Sequence, residues 1–343
     1  MVDTPPSPIA TLFPGYFALV MATGIVAVAA DQQDLVLLAE VLYVITAGAY
    51  VVLAVLLATR MIRYWSNFAA DVTNHAKGFA FLTIVAATNV LASASIVVHG
   101  WWDLAWALWW ASLVLWAVFV FTTLIAVVID RDKPGLQGGI NGSWFLLTVS
   151  TQSIAVVAGL FLTRTDSDAL AFGAVAMFTL GIVLYLIVMT MVFLRWTFQP
   201  LDPTEADPPA WIAAGAVAIT VLAGSNILLA ADQAPERVAR LAPFLEGLVV
   251  MSWATATFWF PLMIAIGVWR HLVRRVPLRY HPSYWAMVFP LGMYGAATYR
   301  MRAAIELDTL AWLPKVELAV SLTAWTVTFV GLGWTLIGAL RAR

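Results

Sequence analysis

The sequence predicts an all-α membrane protein of ten transmembrane helices, arranged as five helical hairpins around a central pore. Three observations predict it. The 343 residues are 62% hydrophobic and only 11% charged, with a mean hydropathy of +0.90, whereas soluble domains carry roughly 25% charged residues. Apolar windows of bilayer-spanning length recur along the whole chain. The spans alternate between two kinds, one with small and polar residues at mid-helix and one rich in large apolar residues.

In chain order the expected spans are Leu12–Ala30, Leu35–Arg60, Gly78–Val98, Trp101–Ile129, Ser143–Thr163, Ala169–Phe198, Ala210–Ala231, Pro243–Val268, Pro282–Tyr299 and Trp312–Leu340. They form one domain, residues 12–340, flanked by a short segment 1–11 and a C-terminus 341–343. The gaps, of which 130–141 and 199–209 are among the longest, leave no room for a soluble domain. Residues 1–11 contain no Lys or Arg. The basic region of a signal peptide is therefore missing, and the first span is expected to stay in the protein.

Lys and Arg number twelve in the gaps after even-numbered spans and at the C-terminus, against six after odd-numbered spans. The Arg270, Arg274, Arg275, Arg279 cluster dominates the difference. The positive-inside rule then places both termini in the cytoplasm; the expected location is the plasma membrane.

The odd spans share a motif at similar depth: Ala22-Thr23-Gly24, Ala87-Thr88-Asn89, Ser150-Thr151-Gln152, Ala223-Gly224-Ser225-Asn226 and Pro290-Leu291-Gly292. From Gly24 through Asn89, Gln152 and Gly224 to Gly292 the intervals are 65, 63, 72 and 68 residues. Each interval is one hairpin. Small residues let backbones approach closely, so the odd spans are expected inside, around a quasi-five-fold axis. The even spans, with Trp106, Trp109, Trp110 and Trp116 in the fourth, are expected outside. Acids open the even spans: Asp34 and Glu40, Asp103, Asp168, Glu246 and Glu317. Carboxylates there suit the positive end of a helix dipole. We read them as structural, with proton coupling through Glu40, Glu246 or Glu317 as the alternative.

In the ninth span Pro290 lacks an N–H and crowds the preceding turn. A bend near Val288 and Phe289 is expected, and freed carbonyls are tolerated only in protein or beside a wet cavity. Phe289, Pro290 and Gly292 are therefore the candidate gate. Thr23, Gly24, Thr88, Asn89, Thr148, Gln152, Thr220, Gly224, Ser225 and Asn226 are candidate pore-lining positions. Each polar one also has the simpler option of bonding a neighbouring carbonyl. Arg300 and Arg302 stand where they could gather anions at a mouth, or serve as ordinary interfacial arginines.

The odd spans contain no Asp, Glu, Lys or Arg, which disfavours a cation pump with a buried carboxylate. Anion passage needs only weak donors, and an apolar constriction can close such a path. The four histidines (His75, His99, His271, His281) fall in loops or at span ends, so haem or metal ligation is not expected. Cysteine is absent. We expect no enzyme, no cofactor and no nucleic-acid partner.

Four stretches carry a resemblance to a known family. They are Phe13-Pro-Gly-Tyr-Phe-Ala-Leu-Val-Met-Ala-Thr-Gly24, Asn141-Gly-Ser-Trp-Phe-Leu-Leu147, Trp253-Ala-Thr-Ala-Thr-Phe-Trp-Phe-Pro261 with Trp269-Arg-His271, and Trp285-Ala-Met-Val-Phe-Pro290. In that order the chain resembles the tellurite-resistance/dicarboxylate transporter family, which includes the slow anion channels of plants. The resemblance implies a homotrimer of ten-helix protomers, each with its own pore, and a gating phenylalanine that falls on Phe289. It implies small inorganic or organic anions as cargo. A channel or facilitative transporter is the expected function, with a proton-coupled C4-dicarboxylate, sulfite or tellurite transporter as the alternative.

Overall fold

A computed structural model describes residues 7–203, 205, 208–231 and 236–341, with the side chains of 236–237 left aside. The outermost parts of both terminal segments, Arg343, the Arg237 side chain and residues 204 and 206–207 of one gap lie outside it. The described residues contain ten long helices and no strand. They are α1 (Ala18–Asp31), α2 (Val36–Arg63), α3 (Thr83–His99), α4 (Trp102–Ile129) and α5 (Leu146–Phe161), followed by α6 (Asp168–Phe198), α7 (Ile212–Leu229), α8 (Glu236–Val268), α9 (Trp285–Ala304) and α10 (Leu313–Arg341). Nine of these, with their flanking turns, are long and apolar enough to cross a membrane. The exception is α9. It is 20 residues long but carries Pro290, two glycines and two arginines.

Burial separates the helices into two classes. The spans containing α1, α3, α5 and α7 are 83–94% buried inside the protein, and those containing α2, α4, α6, α8 and α10 only 11–28%. Fourteen residues of α9 are buried too. The central class makes a cycle of contacts: α1 packs on α3, α3 on α5, α5 on α7, α7 on α9, and α9 returns to α1. Each central helix also packs against the peripheral helix that follows it.

Glycine makes these approaches close. A Cβ on Gly159 of α5 would stand 2.9 Å from Asn226 Cβ and 3.1 Å from backbone atoms of α7. On Gly24 of α1 it would meet Val90 Cγ1 at 2.6 Å, and on Gly224 of α7 it would press on Val249 and Phe178. Helices in lipid associate through such backbone proximity rather than through hydrophobic exclusion.

Every central helix opens the same way. A 3₁₀ turn begins at Pro14, Gly78, Gly142, Pro208 or Pro282, and three residues later comes an aromatic: Phe17, Phe81, Phe145, Trp211 or Trp285. Proline suits the first turn because its missing N–H would be unpaired there anyway. Gly142 and Gly78 occupy the same position because backbone from Pro209 and Val72 lies against them.

Two expectations about boundaries change. Glu246 does not open its helix, because α8 begins at Glu236. Arg300 and Arg302 lie within α9 rather than beyond it, because the helix runs on to Ala304. The helix also continues through Pro290, whose missing N–H leaves the Ala286 carbonyl without its ordinary helical donor. In addition, a short helix, Trp65–Val72, buries Phe68 and Val72 after α2.

Gly159→Val should lower stability by about 1–3 kcal/mol through overpacking against α7. Gly48→Ala, where a Cβ meets nothing within 4 Å, should leave the melting temperature of the detergent-solubilised protein unchanged or slightly raised.

Candidate functional site: cavities along the central helices around Phe289

Three cavities lie along the axis enclosed by the central helices. The first, about 260 Å³, is at the C-terminal ends of the central helices. All five contribute: Ile25 and Val28, then Asn89, Val90, Ser93 and Val97, then Ser153, Val156 and Leu160, then Ile219, Leu222 and Asn226, and finally Met293, Tyr299 and Arg300. Asp31, Gln32 and Asp34 complete its rim. At the N-terminal ends is a cavity of about 320 Å³. Between them, a small pocket of about 30 Å³ with no polar surface is lined by Ala18, Met21, Thr83, Leu146, Ile212, Ala286 and Phe289, among others.

The lining follows helical periodicity. On α1 it runs Ala18, Met21, Ile25, Val28, and on α9 Ala286, Phe289, Met293, Arg300. These steps of three, four and seven residues mark one face of a helix. Phe289 is 1% exposed and sits between the small dry pocket and the C-terminal cavity, to which Met293 belongs one turn on. Its ring lies over Gly215 of α7, where a Cβ would come within 3.3 Å of Phe289 Cδ1 and Cε1 and within 2.8 Å of Pro290 Cγ. Glycine at 215 is therefore what gives the ring its seat. Gly292 faces α1 instead, with Val26 and Ile25 side chains against it.

The sequence-selected polar residues divide into two groups. Asn89 and Asn226 line the C-terminal cavity. Asn89 donates from Nδ2 to Ser153 Oγ (2.9 Å) and accepts from Ser112 Oγ (2.9 Å). Asn226 donates from Nδ2 to the Val156 carbonyl (3.2 Å), and its Oδ1 accepts from Arg300 Nε (2.9 Å). The Arg300 fork is thereby held at the cavity. The second group is engaged with the peripheral helices or with its own helix. Thr23 accepts from Trp325 Nε1 on α10 (2.9 Å). Thr88 bonds the Ile84 carbonyl (2.7 Å) and meets the Tyr50 hydroxyl on α2 (2.9 Å). Gln152 donates to the Phe178 carbonyl on α6 (2.8 Å). Thr220 bonds the Ala216 carbonyl (2.7 Å) and lines a lateral crevice shared with α6 and α8. Gly24 and Gly224 are close-packing positions. The hydroxyls of Thr148 and Ser225 are buried with no partner among the described residues. Arg302 turns away from the axis, to the Leu307 carbonyl and to Asp308 at 3.3 Å.

Ser93, Ser153, Met293 and Tyr299 line the cavity although the polar clusters did not point to them. Helical phase was the signal for two of them: Ser93 is one turn from Asn89 and Met293 one turn from Phe289. Among the described residues no cluster of His, Asp and Glu could hold a metal ion.

The N-terminal mouth has a different character. Lys77, Arg270, Arg279 and His281 line it, with no Asp or Glu among the described lining residues. Burial pushes the His281 imidazole below its ordinary range, so it is neutral near pH 7. Its Nδ1 accepts from the Ser283 N–H at 3.2 Å.

The family model SLAC1, voltage-dependent anion channel, matches residues 11–332. The chain belongs to this family. Its members' resemblance stretches fall on the central helices and on α8, and the match runs through all ten long helices. An uncharacterised membrane protein of Mycobacterium tuberculosis is 42% identical over 149 residues, 43% of this chain and 75% of that protein. An uncharacterised transporter of Methanocaldococcus jannaschii is 23% identical, covering 83% of each chain. The sulfite efflux pump SSU1 of Trichophyton rubrum is 21% identical over 85% of this chain and 82% of its own. The family and the names of these relatives indicate a transporter rather than an enzyme.

Asn226→Leu should cost about 1.5–3 kcal/mol in thermal melting, because it strips a hydrogen bond from a partly buried charged group and leaves Arg300 Nε unpaired. Arg302→Gln should leave the melting curve unchanged, since its partner Asp308 is fully exposed.

Proposed function

We propose that the protein is an anion channel or facilitative anion transporter whose pore runs along the axis of the five central helices and is closed by Phe289. The observation that carries this reading is the position of the Phe289 ring: buried, seated on Gly215, with a cavity on either side. The cyclic contacts and the repeated 3₁₀ openings support a quasi-five-fold arrangement of ten spans, α9 included. Counting from each opening Pro or Gly gives layers in register, with α3 displaced by one residue because its 3₁₀ turn, Gly78–Leu82, is one residue longer than those at Pro14, Gly142 and Pro208. One layer is Ile25, Val90, Ser153, Ile219 and Met293, all of them on the C-terminal cavity. The layer below it is Met21, Ala86, Val149, Gly215 and Phe289. It is apolar, and its only aromatic is the one from α9. Such a layer closes a path by bulk and by dewetting.

In this reading an anion meets weak donors rather than a deep binding charge. Asn89, Ser93, Ser153 and Asn226 offer amide and hydroxyl groups, and Arg300 supplies one guanidinium. Shallow interaction lets an ion leave as readily as it arrives. The twelve-to-six distribution of Lys and Arg supports placing the N-terminal mouth and both termini in the cytoplasm of the plasma membrane. The exposed apolar faces of α2, α4, α6, α8 and α10 suit lipid and protomer contacts in a homotrimer.

A second reading is sulfite export, favoured by the likeness to the fungal sulfite efflux pump, with C4-dicarboxylates and tellurite as further cargo in the same class. Proton coupling would need a carboxylate on the path. Asp31 and Asp34 are at its rim, whereas Glu246 and Glu317 belong to peripheral helices.

Phe289→Ala should raise anion flux into liposomes at least roughly tenfold, a loss of about 1.4 kcal/mol or more from the barrier. Unchanged flux in Phe289→Ala would remove the gate. In planar bilayers the Phe289→Ala reversal potential should follow the sulfite or chloride gradient and ignore pH; a shift with the pH gradient would establish coupling instead.

A further inference from the structure

We infer that Phe13 sets the width of the anions the path admits, by narrowing the passage between the N-terminal mouth and the dry pocket below Phe289. The inference rests on the pore reading above. Five residues line both of these cavities: Phe13, Ala80, Ser143, Pro209 and Ser283. Each comes from the opening of a different central helix, so the passage is a ring of five side chains. Ser143, Pro209 and Ser283 stand one place after their opening residue, and Ala80 two places after Gly78, whose turn is one residue longer. The matching place in α1 is Gly15, which lines the dry pocket. A Cβ on Gly15 would stand 2.7 Å from Phe13 Cε1 and 2.9 Å from its Cζ. The Phe13 ring therefore fills the space that a side chain at 15 would take, and one aromatic ring faces four compact residues.

The chain on both sides of Phe13 is fixed. Before it, Arg60 donates from Nε to the Ala10 carbonyl (3.1 Å) and from Nη1 to the Leu12 carbonyl (3.0 Å), and Asp71 pairs with the same guanidinium. Arg60 is 1% exposed, and a buried charge is tolerated when it is paired and bonded in this way. After it, the Thr83 hydroxyl donates to the Pro14 carbonyl at 3.3 Å. Tyr16 and His281 pack edge-on against the phenyl ring, with centroids 6.4 Å and 5.6 Å away.

The other four residues act by shape, because their donors are spent. The Ala80 N–H bonds the Lys77 carbonyl at 3.0 Å, and Pro209 has no N–H. Asn141 Oδ1 accepts both the N–H (2.8 Å) and the hydroxyl of Ser143. His281 Nδ1 accepts the Ser283 N–H, so the Ser283 hydroxyl, 2.8 Å away, donates its proton to the same nitrogen. A passing anion is therefore sorted here by cross-section rather than by hydrogen bonding, one of the ways a pore selects. Halides, small oxyanions and slim chains pass, and broad anions are held at the phenyl ring. The ring narrows the path without closing it: Phe13 is only partly buried, whereas Phe289 is 1% exposed.

The test uses the full-length Phe289→Ala protein in planar bilayers, with methanesulfonate and benzenesulfonate as probes. The two share one headgroup and one charge and differ in width. With chloride on one side and a sulfonate on the other, the reversal potential gives the permeability of each relative to chloride. With Phe13 in place, benzenesulfonate should reach roughly a tenth of the methanesulfonate permeability or less. Adding Phe13→Ala should raise the benzenesulfonate-to-methanesulfonate ratio roughly threefold or more. Phe13→Leu should raise it by less, and Phe13→Trp should lower it. Chloride current in each variant reports an assembled pore. If Phe13→Ala does not assemble, the opposite shifts expected of Phe13→Leu and Phe13→Trp decide. A ratio that ignores all three substitutions would overturn the width limit and leave the pore standing. Absence of any anion current in Phe289→Ala would overturn the pore reading and the width limit with it.

Discussion

The seat of one phenylalanine ring on one glycine organises the centre of this protein. Gly215, on the neighbouring helix, leaves room for the ring and for Pro290: a Cβ there would stand 3.3 Å from the Phe289 ring and 2.8 Å from Pro290 Cγ. That contact requires α7 and α9 to approach closely at a fixed register. The register is set in turn by the 3₁₀ openings at Pro208 and Pro282 and by the small residues along both helices. A bilayer offers no hydrophobic drive between helices, so shape complementarity of this kind must hold the central cycle together. The peripheral helices then serve two purposes. They satisfy polar groups on the backs of the central ones, as Trp325 does for Thr23 and Tyr50 for Thr88, and they present apolar side chains outward.

Much of the fold was legible in the sequence, because bilayer thickness fixes span length and the alternation of small-residue and large-residue spans distinguishes centre from periphery. Boundaries were less legible. The start of α8 was hidden because Pro243 and Glu246 look like the beginning of a helix although the chain is already helical there. The run of α9 past Tyr299 was hidden because Arg300 and Arg302 look like the end of a span.

The candidate site was legible in depth but not in direction. Selecting polar residues at mid-helix found Asn89 and Asn226, which line the cavity, together with Thr23, Thr88 and Gln152, which bond peripheral helices. Depth cannot separate these groups; helical phase can. Thr23 lies two residues from both Met21 and Ile25, about half a turn round the helix from the axial face. Thr88 stands in the same relation to Ala86 and Val90. Once Phe289 is placed on the axis, the periodicity of each central helix relative to its opening Pro or Gly identifies the lining, including Ser93, Ser153 and Met293. The repeat of Pro or Gly followed by an aromatic three residues later was present in the sequence throughout, but its meaning depends on seeing that all five copies open helices pointing the same way.

The central claim is that one barrier, at Phe289, divides a single axial path. Because the chain has no cysteine, Ser153→Cys provides one thiol just beyond the barrier, on the C-terminal cavity. The direct measurement is its labelling by a membrane-impermeant thiol reagent applied from each side of oriented vesicles. The account predicts labelling from the C-terminal side alone in otherwise native protein, and from both sides once Phe289→Ala is added. Labelling from both sides with Phe289 in place, or from one side only after its removal, would contradict it.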